Sequence, residues 1–228
     1  MEGRLEYGKV KVHYVLPKDG EISSACYVHG TEDMAQRLAG ALSGGKTGIF
    51  SMEGEDWNAD LSPWKAPAAF AGEKDFAGGA GIYLDFLCRQ VVPQTEHALH
   101  LSIKKRGLIG YSMAGLFSVY ALYYTGLFTE IASVSGSLWY DGFLAFVKEK
   151  DRVCKPGKVY FSVGKKEKKT RNARMARVED CTRGVINQLE EEGVSCFFEM
   201  NEGNHFYHVE ERMEKAIRYL FSVIGSTP

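Results

Sequence analysis

Between Gly107 and Thr129 the chain runs for 23 residues without one charged side chain. Any fold it adopts has to keep that stretch away from water. A single apolar helix of about 20 residues could do so by crossing a bilayer. The residues point elsewhere. Glycines at 107, 110, 115 and 126 and the hydroxyls of Ser112, Ser118 and Thr125 interrupt the run. It also divides into a short β-like segment ending near Gly110 and a helical segment from Met113, which reads as two buried elements of one large core. Ser112 stands at the break. A sharp strand-to-helix turn lifts a side chain above the sheet and aims the first N–H groups of the helix beside it. Gly110 and Ala114 leave the backbone room for such a turn.

The rest of the composition suits a core of that size. The chain has 228 residues, 45% hydrophobic and 25% charged, and no composition shift or linker divides it, so a single domain spanning 1–228 is expected. A net charge of −1 gives no electrostatic reason to expect nucleic acid or an anionic membrane as partner. The one dense basic spot, Lys165 to Lys169, reads as a solvated loop. Glu2, Arg4, Glu6, Lys9 and Lys11 break every apolar run before Val15, so no secretory signal is read and a cytoplasmic protein is expected. Cys26, Cys88, Cys154, Cys181 and Cys196 include no Cys-x-x-Cys pair, so neither a disulfide framework nor a zinc site is indicated. No metal or cofactor is expected.

Apolar runs mark strands near 9–16, 24–28, 47–52, 106–110, 130–134, 158–163 and 194–199. Helical spacing marks 33–43, 79–92, 113–125, 142–150, 173–192 and 208–224, as in Val209, Met213, Ala216 and Leu220. Strand alternating with helix implies a mostly parallel sheet covered on both faces, whose site lies at the carboxyl ends of the strands.

Ser112, Glu167 and His205 each follow such a strand, in the chain order serine, acid, histidine. Imidazole can take a serine proton near neutral pH, and a carboxylate behind it holds the productive tautomer and stabilises the imidazolium. Asp141 is the rival acid, although it is also placed to cap the helix at 142–150, and a Ser–His pair without an acid is the third alternative. His208 is the rival base. His13, His29, His97 and His100 have no acid and nucleophile in comparable register and read as structural or exposed.

Five stretches carry a resemblance: Gly-Tyr-Ser-Met-Ala-Gly (110–115), Trp-Asn-Ala-Asp-Leu-Ser-Pro-Trp (57–64), Ser-Gly-Ser-Leu-Trp-Tyr (135–140), Val-Gly-Lys-Lys-Glu (163–167) and Glu-Gly-Asn-His-Phe (202–206). The chain resembles the Putative esterase family of α/β-hydrolases, which includes esterase D, feruloyl esterases and siderophore esterases. Ala114 and Gly136 depart from its usual pattern, which has Gly and Pro there. The resemblance implies an α/β-hydrolase fold and a serine carboxylesterase. An acyltransferase sharing the acyl-enzyme is the nearest alternative, and a catalytically inactive hydrolase-fold binding protein is the alternative of another class.

For the oxyanion, the N–H of Met113 is the first donor by geometry, and the second is expected from Gly30 or Thr31, after the strand at 24–28, with Thr31 equally placed merely to cap the helix at 33–43. The loop at 53–76 is long for a compact domain and holds Trp57, Asp60 and Trp64, which either wall the pocket or plug the sheet edge. Trp139 is a further pocket candidate. Only about two dozen residues separate the strands at 130–134 and 158–163. Little or no lid is therefore expected, and a shallow pocket suits a small ester or one on a larger exposed molecule.

Overall fold

The structure, a computed structural model, describes residues 1–18, 21–42, 45–54 and 56–221. Its centre is an eight-stranded sheet in the order β1-β2-β4-β3-β7-β8-β9-β10. The strands are β1 (Glu2–Tyr7), β2 (Val10–Val15), β3 (Ser24–His29), β4 (Thr47–Glu53), β7 (Lys105–Tyr111), β8 (Glu130–Val134), β9 (Lys158–Gly164) and β10 (Cys196–Asn201). A separate two-residue ladder joins β5 (Lys65–Ala66) to β6 (Phe76–Ala77). From β4 to β10 all neighbours in the large sheet are parallel, while β1 and β2 form an antiparallel edge.

The helices are α1 (Glu32–Ala39), α2 (Trp57–Asp60), α3 (Ala80–Phe86), α4 (Val92–Ala98), α5 (Met113–Ala121), α6 (Phe143–Glu149), α7 (Val178–Glu191) and α8 (Val209–Phe221). Alternation along the strands decides what each covers. Cys26, Val28, Ile49, Ile109, Ala132, Val134 and Tyr160 face α1 and α8, which bury Ala35, Leu38, Met213, Ala216, Ile217 and Leu220. Tyr27, Phe50, Leu108, Ile131, Val159 and Phe161 point to the other face, under α3, α5, α6 and α7.

The structure departs from the sequence expectation at several ends. β1 was not expected: its residues are mostly exposed, so no apolar alternation announced an edge strand that turns at Gly8. The helix expected at 79–92 runs on through a π turn at Leu87–Val91 into α4. The one expected at 33–43 ends in a 3-10 turn at Gly40–Leu42, and its last residue lies outside the described residues, as do 222–224 of the last helix.

The uncharged run becomes β7 and α5. All nine residues of α5 are buried, so this helix is apolar all round because both its sides meet protein. Among the described residues no helix is long and apolar enough to cross a membrane. Between strand and helix the chain reverses within one residue. Ser112 takes φ 58° and ψ −121°, a conformation that costs a side-chain-bearing residue roughly 1–3 kcal/mol. Close packing around the turn holds it there. A Cβ on Gly110 would stand 2.0 Å from the backbone of Ala114, and one on Gly115 would stand 2.9 Å from the Cα of Gly136. Gly136 is itself confined, since its Cβ would stand 2.0 Å from Ser133 Oγ.

Because no side-chain rotation relieves a clash with backbone, Gly110→Ala should cost about 3 kcal/mol or more of unfolding free energy. Urea unfolding of the purified variant measures it, and a change below about 1 kcal/mol would show that the turn has slack.

Candidate active site

Parallel pairing brings the carboxyl ends of β7, β8, β9 and β10 side by side, and the loops leaving them carry the reactive side chains. Ser112 leaves β7, with its N–H bonded to the Val134 carbonyl at 3.1 Å. His205 follows β10. Its Nε2 lies 3.1 Å from Ser112 Oγ and its Nδ1 lies 2.8 Å from Glu167 Oε2. Glu167 sits in the tight turn after β9 and is 7% exposed. Its Oε1 accepts from the Gly164 N–H at 2.6 Å, the Ser135 hydroxyl at 2.7 Å and Arg212 Nη1 at 3.1 Å. Burial pushes the Glu167 carboxyl up, but bonds from His205, Ser135 and the Gly164 N–H outweigh it and hold the carboxyl below the ordinary range.

Neither rival occupies the line. The Asp141 carboxylate is half-exposed and pairs with Arg174 Nη2 at 2.9 Å, and Gly142 with φ 81° takes the cap position of α6. His208 is exposed and pairs with Glu211 at 2.8 Å. His29 is buried with its ring edge-on to Phe117, and burial pushes its imidazole down to about 3, so it stays neutral. His13 pairs with Glu53 at 2.8 Å.

The two candidates for the second oxyanion donor separate. The Gly30 N–H is bonded to the Met52 carbonyl at 2.9 Å and continues the sheet, so it has nothing left to offer an oxyanion. Thr31, exposed at the start of α1, makes no side-chain cap, and its loop leaves β3, the neighbour of β7. Met113 is the first residue of α5, a position whose N–H has no partner within its own helix.

The expected pocket residues divide as well. Trp57 and Trp64 pack into the core from its rim. Trp64 Nε1 donates to the Asp141 carbonyl at 2.9 Å and its ring stacks beside Phe143. Asp60 pairs with Lys9 at the β1–β2 turn. Trp64 and Asp60 tie the loop to the body of the protein, and none of the three lines the cavity that holds Glu167 and His205. Trp139 does reach the site. It is buried along a cavity of about 240 Å³ shared with Glu167 and His205. Phe70, Met175, Val178 and Phe206 supply its other apolar lining, and Lys166 and Lys169 come from the loop expected to be merely solvated.

Several contributors lay outside the sequence reading. Tyr111 donates its hydroxyl to the His205 carbonyl at 2.8 Å and sets its ring 4.8 Å from the imidazole. Ser135 holds the acid from a left-handed backbone, φ 48°. Arg212 is the largest omission. Its position on the stripe formed by Val209, Met213 and Ala216 was the available signal, since a charge on a buried face needs a reason. Among the described residues no group of three or more His, Cys, Asp or Glu could hold a metal ion.

The Putative esterase family matches residues 8–209. The chain belongs to that family. An uncharacterised Bacillus subtilis (strain 168) protein, YbbA, is 29% identical over 150 residues, covering 64% of this chain and 59% of that relative's length. The chain's match therefore spans about three fifths of that protein. An IroE-like serine hydrolase from Shewanella oneidensis superposes with a TM-score of 0.79 at 21% identity, over 97% of this chain and 79% of that one. The siderophore hydrolase EstA from Aspergillus nidulans does so with a TM-score of 0.77 at 16% identity, over 96% and 93%. The esterase-family chain has the α/β-hydrolase fold.

The position of Glu167 also makes a statement about stability. Its carboxyl is held below the ordinary value in the folded state, so between the two values the unfolded chain binds a proton that the folded chain does not. That contribution is present above the ordinary carboxylate pKa and is lost as pH falls through the folded value. Urea midpoints measured from about pH 6 to pH 3 should therefore fall more steeply for wild type than for Glu167→Gln. Parallel curves would contradict the assignment.

Proposed function

We propose that this chain is a serine carboxylesterase working through an acyl-enzyme on Ser112. The observation that carries the reading is one continuous line, Ser112 Oγ to His205 Nε2 at 3.1 Å and His205 Nδ1 to Glu167 Oε2 at 2.8 Å. His205 takes the proton as Oγ attacks the ester carbonyl, and Glu167 stabilises the imidazolium that forms. The N–H groups of Met113 and Thr31 receive the oxyanion. The imidazolium then protonates the departing alcohol, and water, deprotonated by the same imidazole, releases the acid and restores Ser112. No cofactor enters these steps.

Ser112 and His205 are both partly exposed, and the chain from β8 to β9 is spent on α6 and its loops. A small ester fits such a site, as does an ester on a larger molecule of the sort named for the Aspergillus nidulans siderophore hydrolase.

Ser112→Ala should fold like wild type and lose kcat on short p-nitrophenyl esters by about 10³-fold or more. A fluorophosphonate probe should label wild type and not the variant, and a folded wild type that stays unlabelled would end the proposal. The acid is tested by ranking. Glu167→Gln should cost about 10²-fold or more in kcat, because an amide cannot stabilise the imidazolium. Asp141→Asn should stay within a few-fold, since it breaks only the half-exposed pair with Arg174. The reverse order would move the acid to Asp141.

A further inference from the structure

α8 places a guanidinium where its apolar stripe would otherwise continue. Arg212 is 1% exposed, and a buried charge of that kind is tolerated only where its partners answer it. Nη1 donates to Glu167 Oε1 at 3.1 Å and to Ser135 Oγ at 3.0 Å. Nη2 donates to the carbonyls of Glu202 at 2.7 Å and Asn204 at 2.9 Å. The partners belong to three loops: Ser135 follows β8, Glu167 follows β9, and 202 and 204 lie between β10 and His205. The surroundings are shaped to admit the group. A Cβ on Gly164 would stand 2.8 Å from Nη2 and 2.9 Å from Glu167 Oε1.

We propose that Arg212 is the positioning residue of this site, its planar fork tying the acid-bearing loop and the base-bearing loop to one helix so that His205 is aimed at Ser112. The proposal rests on reading Ser112, His205 and Glu167 as the triad. An ammonium could not replace the guanidinium in this role. Two nitrogens fixed in one plane serve two acceptor pairs at once, whereas lysine offers a single point charge.

Charge adds a second effect. Glu167 faces a guanidinium on one oxygen and the imidazole on the other. Removing the guanidinium leaves the carboxylate uncompensated, which favours the protonated imidazole. Among the described residues, the other ionisable groups near this cluster include the Tyr111 phenol from β7 and Lys166 and Lys169 from the acid-bearing loop, while Glu211 on α8 is exposed and pairs with His208. Arg212 favours the ionised forms of Tyr111 and Glu211, so its loss acts on both of them as well.

The test compares wild type, Arg212→Lys and Arg212→Gln in steady-state hydrolysis of p-nitrophenyl acetate across pH, with a separate sample of wild type tested for fluorophosphonate labelling. Arg212→Lys keeps the charge and loses the fork. Its kcat should fall by about 10- to 100-fold, with KM within about 3-fold and the acid side of the kcat/KM profile in place. Arg212→Gln should lose more, and the acid side of its profile should move to higher pH. A folded Arg212→Lys protein with kcat within about 3-fold of wild type overturns the proposal, and so does a loss confined to KM. If neither variant folds, Ser135→Ala removes the hydroxyl shared by the guanidinium and Glu167. Its kcat should fall several-fold, and an unchanged kcat overturns the proposal. An unlabelled, folded wild type overturns the triad reading and this proposal together, whereas a labelled wild type with indifferent Arg212 variants overturns this one alone.

Discussion

Taking the Glu167 carboxylate out of water would cost several kcal/mol if its oxygens were left unanswered. The loops at the carboxyl edge of the sheet are arranged around that requirement. The Gly164 N–H, the Ser135 hydroxyl, Arg212 and His205 all converge on one side chain. They can converge only because β8, β9 and β10 are paired in a register that sets Val134 beside Ser162 and Gly164 beside Asn201. A slip of one residue would turn each strand's side chains to the wrong face and carry these loops out of reach. A buried charge thus makes the register of the sheet and the geometry of the site the same constraint.

Ser112 is held by a different means. Its backbone bonds to the neutral main-chain groups of Val134, Leu116 and Ser137, and its left-handed conformation is enforced by shape. A Cβ on Gly110 or Gly115 would meet backbone and one on Gly136 would meet the Ser133 hydroxyl, and the Ser137 N–H fixes the Ser112 carbonyl at 2.9 Å. Ala114, which departs from the family's usual glycine, is fully buried and its Cβ is tolerated; the crowding falls on Gly110 instead. Steric fit places Oγ while electrostatic convergence places the imidazole, and Ser112 Oγ meets His205 Nε2 where the two systems join.

This division explains what could be read from the sequence. The parallel strands announce themselves because both their faces are apolar, and Ser112, Glu167 and His205 follow from their order after those strands. What depends on tertiary neighbours was not legible. The choice between Gly30 and Thr31 turns on a single bond from the Gly30 N–H to Met52, set by the pairing of β3 with β4. Trp57, Asp60 and Trp64 were attractive as pocket walls because the loop is long, yet Lys9 and Asp141, distant in sequence, engage Asp60 and Trp64. Phe70, from the same loop, lines the cavity and gave no local signal. Edge strand β1 is exposed enough to lack a pattern altogether.

His205 is carried on a surface loop, which poses a problem that the sheet alone does not solve, because such loops open easily and in an active site a 1 Å misplacement can cost about 10²-fold in rate. Phe206, next to His205, is 80% exposed, so apolar packing does little to hold this loop. Its main chain is held by hydrogen bonds. The carbonyls of Asn201 and Gly203 accept from the N–H groups of Lys165 and Lys166 at 2.8 and 2.9 Å. Those of Glu202 and Asn204 accept from Arg212, and that of His205 from Tyr111. Five successive carbonyls are therefore each engaged from outside the loop. The donors sit on the Glu167 loop, on α8 and beside Ser112. Moving the imidazole away from Ser112 would require breaking bonds to the elements that position Ser112 and Glu167, so the contacts that hold the His205 loop also tie it to the places of its two partners.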